Sequence, residues 1–401
     1  MAGQLGIWLA TILALLCIVT APFIQPPWLL TLLVVIFSAL LYLIQGTKYV
    51  SISLILLALL YGARLLPLFV FTATIAIVVV GEVAFRLAPK GVDPFFAFIT
   101  ASAGSLFFIW TYMRTITPLI ALMGVLVAVL LKSALKDRED ALMIEGLAVA
   151  MTMWIFWEIN FPVGYALLLS AILIASTFGF FSYHMNVADR SGLFSGALVG
   201  VILIVFTRDV RWFLIMLAFF ILGSAATRYR YDYKLTQGIA QSHGGVRGYY
   251  NVFANGLVAI AAAVLFGLEG QAMWIALFLG SVATAAADTV AGEIGMTAND
   301  PYLITTFQPV KPGTNGGVTL LGECAGFIAS AVVVLIASLL RVITSPGMII
   351  ACTIAGFVGT QIDSVIGATL ENRRLIGNAG TNLIATLLGG LTAMGLASIL
   401  V

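Results

Sequence analysis

The chain has 401 residues, of which 62% are hydrophobic and 9% charged, and its formal net charge is +2. Soluble domains carry roughly 25% charged residues, so this composition excludes a soluble globular protein. So small a net charge leaves no electrostatic footprint for nucleic acid, and none is expected as a partner.

Apolar runs long enough to span a bilayer as helix recur from end to end. In chain order they are 5–24, 28–45, 49–63, 67–85, 95–113, 118–135 and 141–162, then 164–184, 193–206, 212–227, 251–268, 272–295, 317–340, 347–368 and 376–400. The expected fold is all-α, a polytopic integral membrane helical bundle of about 13–15 transmembrane segments, with membrane lipids as its surroundings. Several runs are short, 49–63 and 193–206 among them, so one or two are expected to be re-entrant or tilted pieces instead of full crossings. The opening Met1-Ala2-Gly3-Gln4 has no basic residue, so Leu5 onward reads as a first span rather than a cleaved leader. Prolines 26, 27, 67, 94, 118 and 346 stand where segments start, where a missing N–H costs little. Cys17, Cys324 and Cys352 lie in apolar runs without metal spacing and read as small buried hydrophobes. Two histidines, His184 and His243, are too few for a histidine metal site.

If all fifteen segments cross, one set of alternate junctions holds 14 of the 19 Lys and Arg residues and the other set holds 5. The rich set is then cytoplasmic, with the amino terminus inside. The expected location is a multi-pass protein of the plasma membrane. This topology also sorts the polar groups of the second half. Asp288 and Glu293 end segment 272–295 on the cytoplasmic side, and Glu323 and Asp363 fall on the same layer. Asn251 and Asn255 open 251–268 there, as Asn378 and Asn382 open 376–400. Carboxylates within a bilayer are expensive and mark function.

The polar stretch 283–319, ATAAADTVAGEIGMTANDPYLITTFQPVKPGTNGGVT, organises this layer. Asp288 and Glu293 are five apart, about 140° around a helix, so they share a face only if the helix bends at Gly292. Their expected work, with Asp363, is to hold Mg²⁺, which takes one or two carboxylates plus substrate phosphates. Lys311 and the run Gly313-Thr314-Asn315-Gly316-Gly317 have the makings of a loop whose backbone N–H groups wrap phosphate. Arg247 sits in a glycine-flanked turn and offers paired donors to a phosphate, or a headgroup anchor. Asn378 and Asn382 share a face, as do Asn251 and Asn255, and serve either helix pairing or a ligand. Glu323 pairs with Lys311 or joins the site. Glu82, Glu145 and Glu158 of the first half receive no catalytic role. No GxxxxGK[ST] is present, which removes a P-loop kinase.

These motifs carry a resemblance. ADTVAGEIG (287–295), PYLITTFQPVKPGTNGGVTLLG (301–322), GFVGTQIDSVIGATLE (356–371) and GGVRGYYNVFANG (244–256) resemble the transmembrane protein 19 family, which includes the plant phytyl-phosphate kinase. The same plan is similar, more distantly, to dolichol and phytol kinases and to phosphatidate cytidylyltransferases, which use CTP and Mg²⁺ at the cytoplasmic surface. The likeness covers roughly 164–401 and leaves 1–163 as a membrane region of unassigned role. Where family members often show Thr-Glu before the isoleucine, this chain has Gly292-Glu293.

The resemblance implies a membrane kinase moving a phosphoryl group from a nucleoside triphosphate (CTP before ATP) to a prenyl-phosphate lipid. It points to Asp288, Glu293, Lys311 and Asp363 as catalytic. Asp288, Glu293 and Asp363 would hold the metal, and Arg247, Asn255, Gly313, Thr314, Asn315, Gly316, Gly317 and Asn382 the nucleotide. A lipid-phosphate cytidylyltransferase and an ion-coupled secondary transporter are the alternatives. A carrier site belongs near the bilayer midplane, whereas these groups lie within about two turns of one interface. Cysteines introduced near Ser242, Asn299 and Asn372 should label from one side, and those near Glu269 and Ser345 from the other. Labelling of 242 and 299 from opposite sides breaks the convergence.

Overall fold

A computed structural model describes residues 2–114 and 117–400. The chain forms two compact units, Met1–Val163 and Gly164–Val401. Among the described residues, eleven helices are long and apolar enough to cross a membrane, and four more apolar helices are shorter. Every apolar run read from the sequence contains a helix, though the run at 317–340 opens with two strand residues before its helix starts at Leu320. The run at 193–206 is an 18-residue helix of crossing length, while 49–63 stays short at 15 residues.

The first unit comprises α1 (Ala2–Thr20), α2 (Pro27–Tyr42), α3 (Lys48–Gly62), α4 (Leu68–Ile75), α5 (Gly81–Arg86), α6 (Pro94–Met113), α7 (Pro118–Ala134) and α8 (Ala141–Ile159). A π-helical turn at Ala76–Val80 joins α4 to α5 into one rod of 19 residues. Proline occupies the first turn of α2, α6 and α7, where no intrahelical acceptor is lost. Glu82 just beyond the π-turn is buried and takes both Lys132 of α7 and Arg86 as partners. Its charge is thereby paired within the bundle, as burial in low dielectric requires. Glu158 is exposed and accepts from Trp154 Nε1 at 3.1 Å.

The second unit comprises α9 (Tyr165–His184), α10 (Arg190–Thr207), α11 (Val210–Arg228), the short α12 (Tyr231–Thr236), α13 (Tyr249–Glu269), α14 (Ala272–Gly295), α15 (Leu320–Leu339), α16 (Pro346–Ile366) and α17 (Asn378–Leu400). A π-turn at Gly367–Glu371 extends α16. Between α14 and α15 the chain leaves the bundle and forms a two-stranded antiparallel ribbon, β1 (Tyr302–Leu303) against β2 (Gly317–Val318).

Helix α14 is the axis of this unit, packed by α11, α13, α15, α16 and α17 and buried continuously from Ala276 to Ala287. Small residues make the approach possible. At Gly280 an added Cβ would stand 2.5 Å from Ala393 Cβ and 2.9 Å from the Gly389 carbonyl oxygen of α17. Gly356 of α16 meets Ala283 in the same way, and Gly326 of α15 meets Ala287 and Ala291. The glycine spacing of α16 is therefore a packing device at Gly356 and Gly359. Cys17 and Cys352 are buried as expected, but Cys324 is exposed. It stands on the second turn of α15, away from the α14 contact made through Gly322 and Gly326.

Gly280→Leu should overpack the α14–α17 contact and lower stability by about 1–3 kcal/mol or more. Gly395→Ala, on the same α17 with nothing within 4 Å of the added Cβ, should not. Thermal unfolding in detergent tests the pair, and equal effects would refute close packing at Gly280.

Candidate phosphate-binding site

One end of the α14 bundle holds a polar cavity of about 270 Å³. It is lined by the start of α13, the end of α14, the start of α15, the end of α16, the start of α17 and the 312–319 loop. The convergence of these helix ends on one layer, expected from alternation of the spans, is present in the structure.

Asp288 lies on the third-last turn of α14, where α16 crosses. The carboxyl groups of Asp288 and Asp363 meet side chain to side chain. Oδ1 of Asp363 is buried without a donor. Two carboxylates in contact repel, and a cation between them removes the repulsion and supplies the missing partner. A divalent metal therefore fits this corner by its donor chemistry. Glu371 in the π-turn adds a third negative charge nearby, with its Oε2 accepting from Thr381 at 3.0 Å.

Glu293 has a different place. It lines the same cavity, but its Oε2 accepts from Lys234 Nζ at 2.5 Å, with both side chains buried. Lys234 spends its remaining donors on the carbonyls of Ala226 (3.2 Å) and Thr227 (2.7 Å) at the end of α11. Oε1 of Glu293 stays buried and unpaired. The expected metal triad Asp288, Glu293 and Asp363 is corrected accordingly: among the described residues no three such ligands gather as a metal site. The five-residue offset sets Asp288 and Glu293 about 140° apart around α14, which stays helical to Gly295, and although both line the cavity, Glu293 is tied to Lys234 rather than to the aspartates. Nothing in YDYKLT marks the Lys234 side chain as buried, so the sequence offers no signal for this pair.

The Gly-rich run turns sharply at two points. Gly313 and Gly316 have positive φ, +81° and +76°. A Cβ on Gly316 would stand 2.5 Å from the Ala368 amide nitrogen and 2.6 Å from the Ser364 carbonyl oxygen, so the loop is pressed against the end of α16. Thr314 and Gly317 donate their N–H groups within the loop, to Lys311 and Thr314. Those of Gly313, Asn315 and Gly316 have no backbone acceptor among the described residues, and all three residues line the cavity. Asn372 Nδ2 anchors the Asn315 carbonyl at 3.2 Å. Lys311 departs from expectation: it is exposed and does not line the cavity. Glu323, a cavity residue, takes Gln361 at 2.5 Å as its partner instead of Lys311.

Asn255 and Asn382 face each other across α13 and α17 at 3.5 Å, and both line the cavity with Asn251 and Asn378. Arg247 also lines the cavity and is 8% exposed. Its backbone is pinned to the turn before α10 by Arg247 N–H to the Val187 carbonyl (2.9 Å) and Asp189 N–H to the Arg247 carbonyl (3.1 Å). Burial pulls its guanidinium below the ordinary range, opposed by the nearby Glu293 charge.

Residues 173–390 match the family described as integral membrane protein DUF92. The chain belongs to the DUF92 family. It is 39% identical over 191 residues to an uncharacterized membrane protein of Synechocystis sp., covering 46% of this chain and 74% of that one. An uncharacterized membrane protein of Methanocaldococcus jannaschii is 32% identical over 225 residues, 55% of this chain and 90% of the relative. A plant relative, Protein VTE6, chloroplastic, of Arabidopsis thaliana is 32% identical over 191 residues, 45% of this chain and 57% of its own length. The matched segment contains every cavity residue named above. No solved structure matches the chain.

The Lys234–Glu293 pair separates support from chemistry. Lys234→Met leaves a buried carboxylate uncompensated and should cost about 3–5 kcal/mol, with much of the loss restored in the double variant Lys234→Met/Glu293→Gln. Denaturation of the three proteins in the same micelle checks this. A double variant no more stable than Lys234→Met would show that the two side chains are not coupled.

Proposed function

We propose that this protein is a membrane kinase that transfers the terminal phosphoryl group of a nucleoside triphosphate, CTP in preference to ATP, to an isoprenyl monophosphate. The observation that carries this reading is the cavity itself. It combines two touching carboxylates, three loop amides without backbone acceptors among the described residues, and a buried arginine at one end of a membrane bundle. The resemblance of its motifs to the family that includes the plant phytyl-phosphate kinase supports the same substrate class.

Asp288 and Asp363 would hold Mg²⁺, which when bound neutralises charge on the nucleotide phosphates. The 313–317 loop would cradle those phosphates through its amides, and Arg247 would hold the phosphate of the acceptor. An oxygen of the acceptor monoester attacks the terminal phosphorus, and the bond to the bridging oxygen of the nucleotide breaks, leaving a nucleoside diphosphate. The attacking oxygen is already anionic, so no side chain has to remove a proton. Catalysis then rests on positioning and on charge stabilisation. Lys234 orients Glu293, which shapes the wall beside Arg247. The excess of basic residues on this layer supports a cytoplasmic site. A relative named chloroplastic argues against tying the family to the plasma membrane.

Asp288→Asn and Asp363→Asn should each lower turnover at least a hundredfold while leaving the protein folded. The measurement is product analysis with labelled CTP or ATP and prenyl monophosphates. Prenyl diphosphate with nucleoside diphosphate is the expected pair. Pyrophosphate release would replace the kinase with a cytidylyltransferase, and near-normal turnover by both variants would remove the aspartates from the chemistry.

A further inference from the structure

A second, narrow apolar cavity of about 60 Å³ runs beside α10, walled by α9 and α11. Gly192, Gly196 and Gly200 line it at i, i+4 and i+8, along one face of α10 over about 12 Å. Phe178 stands over Gly196 and meets the rings of Phe213 and Phe220 edge-on, at 5.6 and 5.1 Å. At Gly200 an added Cβ would stand 2.9 Å from Ala175 and 3.1 Å from Phe213, so the cleft pinches there. Arg247 and Asn251 line both this cavity and the polar one.

Arg247 is a second and independent observation. Its side chain is more than nine-tenths buried, yet it forms no hydrogen bond or ion pair among the described residues. Phe219 and Phe220 lie 5.7 and 5.8 Å from its Cζ, and Gly223 clears its Nη2, to which a Cβ there would come within 2.6 Å. Oε2 of the neighbouring Glu293 is taken by Lys234. A buried guanidinium held against two aromatic faces, with no hydrogen-bond acceptor among the described residues, has donors left for an anion.

We infer that the two cavities form one amphiphile site, in which Arg247 takes the phosphate of a single-chain lipid monophosphate and the α10 trough takes its hydrocarbon tail. This rests on reading the polar cavity as a phosphate site and adds the place and width of the tail. The charge at the junction fixes which end of the lipid enters which cavity. The pinch between α9, α10 and α11 admits one chain and rejects the pair carried by a diacyl phosphatidate. Gly196 sets the width at the middle of the trough, because among the described residues an added Cβ would meet Phe178 alone within 4 Å, at 3.7 Å.

The test uses the full chain in detergent and measures binding of phytyl monophosphate and of dioleoyl phosphatidate without nucleotide. CTP-induced thermal stabilisation is followed in parallel. The parent should bind phytyl monophosphate at least tenfold more tightly than phosphatidate. Gly196→Leu should lose at least tenfold in that affinity and Gly196→Ala no more than about threefold, both keeping the stabilisation by CTP. A phytyl monophosphate analogue with a diazirine at the tail should label Met216 or Leu217 of α11, which line the trough, and this holds whether or not the leucine variant folds. Unchanged affinity in a folded Gly196→Leu, equal binding of phosphatidate, or labelling confined to other helices overturns the trough while leaving the kinase reading intact. The expected binding and labelling in a protein that neither binds CTP nor forms diphosphate upholds the trough and removes the kinase.

Discussion

The close approach of α14 to its neighbours is the constraint on which the rest of the second unit depends. Gly280, Gly326 and Gly356 bring α17, α15 and α16 to backbone distance from it. In a bilayer no hydrophobic effect drives one apolar helix onto another, so contact of this kind supplies the association. Its consequence appears at the end of the helix. Asp288 and Asp363 are carried into contact because α14 and α16 cross closely at Thr284 and Gly359, one turn before them. A wider crossing would let both carboxyl groups find water separately.

Buried charge is handled in two ways in this unit. Lys234 and Glu293 form a nearly complete unit, in which the lysine satisfies one carboxylate oxygen and two helix-terminal carbonyls. That pair ties α12 to α11 and α14 and closes the wall of the cavity. Asp363 keeps one buried oxygen without a donor, and the buried Arg247 side chain, beside Glu293 and two aromatic rings, has no hydrogen-bond acceptor among the described residues. Groups of opposite sign lining one cavity suit a ligand that carries both phosphate and metal. In the first unit Glu82 follows the paired pattern with Lys132 and Arg86, whereas Glu145 is buried with neither oxygen partnered.

The glycines of 313–317 show how one residue type serves two needs. Gly313 and Gly316 permit positive φ, and Gly316 also lets the loop lie against Ser364 and Ala368. A side chain at Gly316 therefore harms the seat of the loop as well as its access to phosphate. The amides left without acceptors follow from those two turns, which direct the N–H groups of Thr314 and Gly317 inward.

The sequence alone determined that the chain is a helical membrane bundle, because runs of apolar residues leave backbone groups only intrahelical partners. Alternation of spans then placed Asp288, Glu323, Asp363, Asn255 and Asn382 on one layer, since side-of-membrane follows from counting. Family membership was legible in the loop and helix-end motifs. Other features depended on which way side chains turn within that layer. The pairing of Glu293 with Lys234, the approach of Gln361 to Glu323 and the exposure of Lys311 are rotational facts about helices and loops, and a linear pattern does not carry them. Glu371 was hidden for the same reason, because LENRR reads as a solvated boundary until a π-turn swings its glutamate back toward the aspartates. The junction at Arg247 likewise belongs to tertiary structure alone. Gly192 and Gly223 lie 55 and 24 residues upstream of it, and only packing shows that both make room for one guanidinium and its backbone.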